Sequence, residues 1–567
     1  MGVSSRVEPV REHVAALASQ LRSVRVPLPP DDAPTAAADV AALLGQLDDY
    51  VLPRLAALDA PLLAVVGGST GAGKSTLVNA LVGRPVSTTG VLRPTTRHPV
   101  LVHHPSDAAW FAGDGVLAGL PRVTTTSALL GDGPALVLAP DEAVPAGLAL
   151  LDAPDVDSVV EENRALAAQL LAAADLWLFV TSAARYADAV PWALLEQAAR
   201  RDVATAVVLD RVPADAVVEV SADLAALMRG RDLGDSPLFV VEERPLLHGM
   251  LPPDTVTSVR DWLGALAASA AARDVVVRST LSGALREAAG RGRGIAAVLD
   301  AQDRRIAGLR TTAEDAYAAA ERRVVASVDD GSLLRAEVLH RWRDLAGAAD
   351  LGRTFDAWVG RVRRRLGAGT TSVPPPAAVE EAITTGVRDV LRDAADRAAR
   401  TAAAGWRDAG AAALLEPPPP VGLDLTERAT VAVGEWREGV VDLVRTEGAG
   451  RRGTARGVAA GINGVAVVLM VATFAATGGL TGAEVGIAAA AALASQKALE
   501  SVFGSRAVTR LTGHVRDDLV RRVHELLEPE AAVFTARLDA LDVPPGLAAA
   551  IRDTTAALDS ERHRVAA

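Results

Sequence analysis

The sequence contains no cysteine among its 567 residues, which excludes disulfides and thiolate metal sites. Aromatic residues make up only 3 %, while Ala and Leu dominate, a bias that favours long helices over sheet. The N-terminal stretch Met1-Gly-Val-Ser-Ser-Arg6 lacks the apolar core of a secretion signal, so the chain is expected to start in the cytoplasm. Gly2 does not head a myristoylation signal, because Arg6 stands where Ser or Thr is wanted. Basic excess is also missing: the formal charge is −12, which disfavours broad nucleic-acid binding, and no nucleic-acid partner is expected. Lysine is nearly absent. Of 58 Lys+Arg, only Lys74 and Lys497 are lysines.

What is present centres on Lys74. The apolar run Leu62-Leu-Ala-Val-Val66 enters Gly68-Ser69-Thr70-Gly71-Ala72-Gly73-Lys74-Ser75-Thr76, and a helical pattern follows at Leu77, Val78 and Leu81. This is strand, phosphate-binding loop and helix in the order the motif requires. The glycines let backbone N–H groups turn inward around phosphates, and the helix start adds its positive dipole end. Lys74 is expected to reach the outer phosphates, and the Ser75 hydroxyl to ligate Mg²⁺. A compact ammonium differs physically from a guanidinium fork. A lysine kept here, in a chain that otherwise uses Arg, argues for a phosphate ligand.

The length implies roughly two to four domains. Residues 7–25 and about 35–58 read as helices, the first with Val10, Val14, Leu17 and Leu21 on one face. They are either surface helices or return to pack on later ones. Beyond the loop helix, Gly83–Pro99 is rich in Thr, Pro and Gly and reads as a mobile loop. A Thr in such a loop can ligate Mg²⁺ and order the loop when the terminal phosphate is present. Thr96 is the first choice, Thr95 the second. Gly147-Leu-Ala-Leu-Leu-Asp152 is an apolar strand whose terminal acid suits a Mg²⁺ contact. Further strands are expected at 176–181, 204–209 and 238–241, alternating with helices, so that a doubly wound α/β domain spans 59–270. Ligands in such sheets sit beyond the carboxyl ends of the strands, where the loop, Thr96, Asp152 and Asp210 all fall.

From 271 to 450 the pattern is helical throughout, with breaks at 367–376 and Pro417–Pro420, and reads as a long all-α stalk. No charge occurs from Gly457 to Ala483, nor from Val485 to Gln496. At ~1.5 Å per residue the first arm, about 458–476, is about 28 Å long, close to the hydrocarbon thickness of a bilayer. Arg451, Arg452 and Arg456 precede the run, and Lys497, Arg506 and Arg510 follow it. Cations at both outer ends fit a hydrophobic helical hairpin over 451–505 whose ends stay on the cytoplasmic face. A soluble, buried Ala-rich hairpin is the other reading. Residues 506–567 return to amphipathic helix.

Phosphate loop, Thr loop, strand-borne Asp, helical stalk and late hydrophobic hairpin together resemble bacterial dynamin-like proteins. Thr96-Arg-His-Pro99 is similar to the dynamin Thr-Arg-x-Pro, and Asp210-Arg211-Val-Pro213 to a degenerate guanine-reading Asn/Thr-Lys-x-Asp. Three positions depart from the pattern. Pro213 stands where the base-reading Asp is expected, with Asp215 a candidate substitute. Asp155, whose charge would repel phosphate, replaces the switch glycine. Thr70-Gly71 stands where eukaryotic dynamins carry Gln-Ser.

The resemblance implies a P-loop GTPase domain on a helical stalk, with residues 1–58 and 506–567 packing on that stalk. It implies GTP and Mg²⁺ as ligands, with Lys74 and Thr96 in catalysis, Ser75, Thr96 and Asp152 on the metal, and Asp210 and Arg211 at the base. It further implies hydrolysis of GTP to GDP and phosphate, self-association or a related dynamin-like partner, and a lipid membrane engaged at its cytoplasmic face through the 457–499 hairpin. Three alternatives stay open: a soluble Era-like regulatory GTPase binding RNA or the ribosome, a nucleotide-binding membrane scaffold with negligible turnover, and an ATP-driven machine.

Overall fold

The run of apolar residues that opens the phosphate motif forms strand β1 (Leu62–Gly68), every residue of which is buried. A strand this apolar has to be covered on both faces. The computed structural model describes residues 3–29, 35–87, 98–113, 115–124, 134–156, 161–200, 202–329, 376–420, 422, 424–449, 469–470, 499–500 and 503–566. They divide into two compact units, Met1–Gln302 with Val543–Ala567, and Asp303–Asp542.

In the first unit the remaining strands are β2 (Val100–His103), β3 (Arg122–Val123), β4 (Leu136–Pro140), β5 (Leu148–Asp152), β6 (Leu176–Ser182), β7 (Ala204–Val212) and β8 (Leu238–Glu242). They form one sheet in the order β3-β4-β2-β5-β1-β6-β7-β8. Pairing is parallel except between β2 and β5, where Val100 lies opposite Asp152. The expected α/β sheet is therefore present, with one antiparallel pair and two strands, β3 and β4, that sequence pattern does not single out. The register places Val66 opposite Asp152 and Gly68 opposite Val180. The end of β1 thus sits between the ends of β5 and β6, where a ligand site is expected.

The helices are α1 (Val3–Arg22), α2 (Ala36–Gln46), α3 (Leu52–Ala56), α4 (Lys74–Val82), α5 (Ala108–Ala112), α6 (Glu161–Ala172), α7 (Ala189–Arg200), α8 (Val217–Arg229), α9 (Thr257–Ala268) and α10 (Ala270–Asp329). One sheet face, with Leu62, Ala64 and Val66, packs against Leu77, Val78 and Leu81 of α4 and Val259 and Leu263 of α9. The other face, with Leu63 and Val65, joins a core that contains Leu166 and Leu170 of α6. The same core takes in Val10, Val14, Leu17 and Leu21 of α1, Leu281 and Leu285 of α10, and Ile551 and Leu558 of the helix Leu547–Glu561. The period-3.6 stripe of α1 is thus wholly buried. Gln20 Nε2 donates to Thr554 Oγ1 at 2.9 Å, and Gln302 Nε2 to the Arg25 carbonyl at 3.0 Å.

A buried ion pair ties α3 to the sheet. Arg54 bonds Asp175, with side-chain exposures of 6 % and 0 %. Arg54 also donates to the carbonyls of Ala60 at 3.0 Å and Pro61 at 3.1 Å. Asp175 Oδ2 accepts the Leu63 amide at 2.8 Å. The Asp175 carbonyl accepts the Thr280 hydroxyl of α10 at 3.0 Å. Burial pushes the Asp175 carboxyl above its ordinary range, and the Arg54 charge and the Leu63 amide pull it back.

The second unit is helical in its described residues: α10 from Asp303, then Pro376–Asp408, Leu425–Ala449 and Ser505–Asp539. Two buried tryptophans fasten it. Trp406 Nε1 donates to the Leu309 carbonyl and Trp436 Nε1 to the Val515 carbonyl, each at 2.9 Å. Trp406 meets Phe534 edge-on with centroids 5.3 Å apart. Buried Glu530 accepts Arg428 Nη1 at 3.0 Å and the Gly422 amide at 2.6 Å. The apolar hairpin expected between 457 and 499 lies outside the described residues except Leu469, Met470 and Leu499. Among the described residues no helix is long and apolar enough to cross a membrane.

Candidate nucleotide site

The turn from β1 into α4 is dictated by its glycines. Gly68 has φ +149°, and a Cβ there would lie 2.0 Å from the Val180 carbonyl oxygen of β6. Gly73, the residue before α4, has φ +96°, and a Cβ there would lie 2.2 Å from Asp210 Oδ2. Neither position has room for a methyl group. The loop Gly68–Gly73 is therefore pressed against the carboxyl ends of β6 and β7, and its Thr70 carbonyl accepts Arg185 Nη1 at 2.9 Å.

Lys74 heads α4 and is 6 % exposed. Its Nζ donates to the Gly68 and Ser69 carbonyls, each at 3.0 Å, and to the carboxylate of Asp155. Ser75 Oγ donates to Asp152 Oδ2 at 2.6 Å. The same carboxylate oxygen accepts Ser87 Oγ. Ser87 is placed by Asn79 of α4, whose Oδ1 accepts the Val86 and Ser87 amides at 2.8 Å and whose Nδ2 donates to the Ser87 carbonyl at 2.9 Å. Asp152 Oδ1 is buried without a hydrogen-bond partner. Burial pushes the Asp152 carboxyl up; Ser75, Ser87 and Lys74 lower it.

The residues present fit a magnesium nucleotide. The site offers a hydroxyl and a carboxylate at the mouth of a loop too tight for side chains, and one oxygen of that carboxylate lacks a partner. Hard oxygen donors of this kind suit Mg²⁺, which keeps several waters and takes substrate phosphates as further ligands. No group of three or more His, Asp and Glu able to hold a metal occurs among the described residues. Ser75 and Asp152 would hold Mg²⁺, Lys74 the outer phosphates, and the amides of Gly68–Thr76 the remainder of the chain of phosphates.

The structure brings Gly68 to Thr76, Asp152 and Asp210 together at one sheet edge. Thr96 and Thr95 lie outside the described residues. Asp210 is buried with Oδ1 unpartnered, and burial raises its pKa to about 6. Arg211 adopts φ +54°, is half exposed, and holds Nε 3.9 Å from Asp210 Oδ2. Pro213 and Asp215 are exposed beyond the strand end. Three contributions to the site carry no mark in the sequence. Ser87 stands in a Pro- and Thr-rich segment, Arg185 is one of many arginines, and the Asp155–Lys74 pair needs a fold to be seen.

Residues 63–212 match the model of the dynamin family. No curated protein matches the chain. Two solved structures, each of an oligomerised bacterial dynamin pair described with the long-range sensing and tethering of membranes, are 10 % identical to it. Their TM-scores are 0.41 and 0.43, with 95 % of this chain covered in both cases and 96 % and 97 % of the other. Likeness at that level establishes neither fold nor function. The dynamin resemblance drawn from the motifs is borne out over the nucleotide domain by the family match at residues 63–212.

Proposed function

We propose that this chain is a dynamin-like GTPase that binds GTP with Mg²⁺, hydrolyses it to GDP and phosphate, and couples turnover to self-assembly and membrane remodelling. One observation carries the nucleotide part. Ser75 and the half-satisfied Asp152 carboxylate converge below Lys74, at the mouth of a loop whose glycines admit no side chain. Bound Mg²⁺ would supply charge neutralisation between the outer phosphates. Lys74 stabilises the charge that develops on the transferred phosphoryl group, and water is the acceptor. Thr96 joins the metal when the terminal phosphate is present. Asp210 packs on the loop at Gly73, and with Arg211 borders the base. The membrane part rests on the uncharged run 457–483, its continuation over 485–496 and the flanking cations, which would hold the protein at the cytoplasmic face of a membrane.

The test compares GTP and ATP binding and hydrolysis, with and without anionic liposomes, for the wild type, Lys74→Ala and a chain lacking 457–499. Wild type should hydrolyse GTP about 10²–10³-fold faster than Lys74→Ala. The deletion should retain nucleotide binding but stop sedimenting with liposomes. Equal phosphate release by wild type and Lys74→Ala removes the GTPase assignment. Undiminished liposome binding by the deletion removes the membrane assignment. Binding without turnover is favoured by a single feature, the pairing of Lys74 with Asp155, and phosphate release above the Lys74→Ala level excludes it.

A further inference from the structure

We propose that Asp155 is a built-in competitor for the terminal phosphate. Its carboxylate occupies the Lys74 ammonium, and a nucleoside triphosphate binds by displacing it. The inference rests on the nucleotide reading of the site and concerns what that site discriminates.

Lys74 is almost fully buried and has three oxygen acceptors. Two are carbonyls of its own loop and hold the stem against the turn. The third, Asp155, is the only one of the three that carries charge. A buried ammonium without a counter-charge is strongly destabilising, and Asp155 supplies that counter-charge. Asp155 lies three residues past Asp152, beyond the end of β5, and its side chain is 23 % exposed. It is therefore able to leave toward solvent, whereas Lys74 is not. An outer phosphate oxygen is the other anion Lys74 is expected to meet; all three Nζ–H donors are already taken, so it has to replace one acceptor, and Asp155 is the one not fixed in the loop backbone. Exchange of Asp155 for phosphate keeps the charge balanced at Lys74. It also frees a carboxylate beside the phosphates, where it repels them.

Two consequences follow. Affinity for nucleotide is lower than the loop alone would give, by the strength of a charge-assisted bond. A diphosphate meets Lys74 as well, but the freed carboxylate repels the more highly charged triphosphate more, so Asp155 shifts preference toward the diphosphate.

The experiment titrates fluorescent GDP and a fluorescent non-hydrolysable GTP analogue, with Mg²⁺, into the full chain as wild type, Asp155→Asn, Asp155→Ser and Asp155→Glu. The two neutral variants should bind the triphosphate analogue about ten- to a hundredfold more tightly than wild type and gain less for GDP. Asp155→Glu should stay close to wild type. Because two neutral side chains of different size are compared, a fault in folding of one leaves the other decisive, with thermal melts as the check. Unchanged or weakened triphosphate binding in both neutral variants overturns the proposal. So does an equal gain for the two nucleotides, which would place Asp155 away from the terminal phosphate. If neither wild type nor any variant binds either nucleotide, the nucleotide reading itself has failed.

Discussion

Replacing Arg54 by Ala is expected to destabilise the first unit by about 3–5 kcal/mol, the cost of stranding one partner of a buried ion pair. The structure sets that size. The guanidinium is 6 % exposed and Asp175 0 %, so solvent cannot stand in for the lost cation. The carbonyls of Ala60 and Pro61 lose a donor in the same step. In a unit of this size such a loss lowers the melting transition by about 5–10 °C. It should also speed amide exchange in β1, since Asp175 holds the Leu63 amide. The pH dependence fixes the cause. Burial already raises the folded Asp175 pKa, and removing Arg54 takes away an opposing charge, so it rises further. The penalty of a raised carboxyl appears as pH climbs above its unfolded value, grows up to its folded one, and vanishes below the unfolded value. The gap between wild type and Arg54→Ala should therefore narrow on going from pH 8 to pH 5. Arg54→Met combined with Asp175→Asn removes both charges and keeps an acceptor for Leu63, and should return to within about 2 kcal/mol of wild type. Thermal melts with hydrogen exchange at two pH values measure all of this. A single variant costing under about 1 kcal/mol, or a double no better than the single, refutes the reasoning.

Asp210 gives a second pH effect. Burial raises its pKa to about 6, so it contributes stability at low pH that is lost as pH rises through about 6; Asp210→Asn should flatten that slope and gain about 3 kcal/mol at pH 8, and an unchanged slope would show that another group titrates. Gly68→Ala sets a methyl 2.0 Å from the Val180 carbonyl at φ +149°, and should abolish nucleotide binding by deforming the β1–α4 turn; near-normal fluorescent-nucleotide affinity would contradict this. Ser87→Ala removes one of two hydroxyls from Asp152 without touching Ser75, and should alter Mn²⁺ affinity, read by electron paramagnetic resonance with nucleotide present, by about tenfold.

The parts of the site that lie consecutively in the chain are legible from the residues alone. Leu62–Thr76 contains its own strand, turn and helix signals, and Asp152 and Asp210 each close an apolar run. The rest is held by contacts between distant segments. Ser87 reaches Asp152 only because Asn79 folds the segment back on α4, and nothing in local periodicity marks such a bracket. The charge of Asp155 is plain in the sequence; its partner, Lys74, is visible only in the fold. The short strands β3 and β4 pair with each other and, through β4, with β2. Their runs are brief and set among Gly and Pro, so their pairing becomes visible only with the sheet. In α1, by contrast, the helical stripe is plain, while its partners in α10 and near the C-terminus lie hundreds of residues away.

Asp175 also has a mechanical meaning. Through side chain and carbonyl it joins three separate stretches of backbone: Arg54 of α3, Leu63 at the root of β1, and Thr280 of α10. Thr280 in turn accepts the Ala204 amide at the start of β7 at 3.4 Å. Axial sliding of α10 in this unit cannot leave β1 and β7 at rest without breaking one of these bonds. The strands that end at Gly68 and near Asp210 are thus fastened at their far ends to one helix. Loss of the Thr280 hydroxyl would therefore release the roots of both strands together.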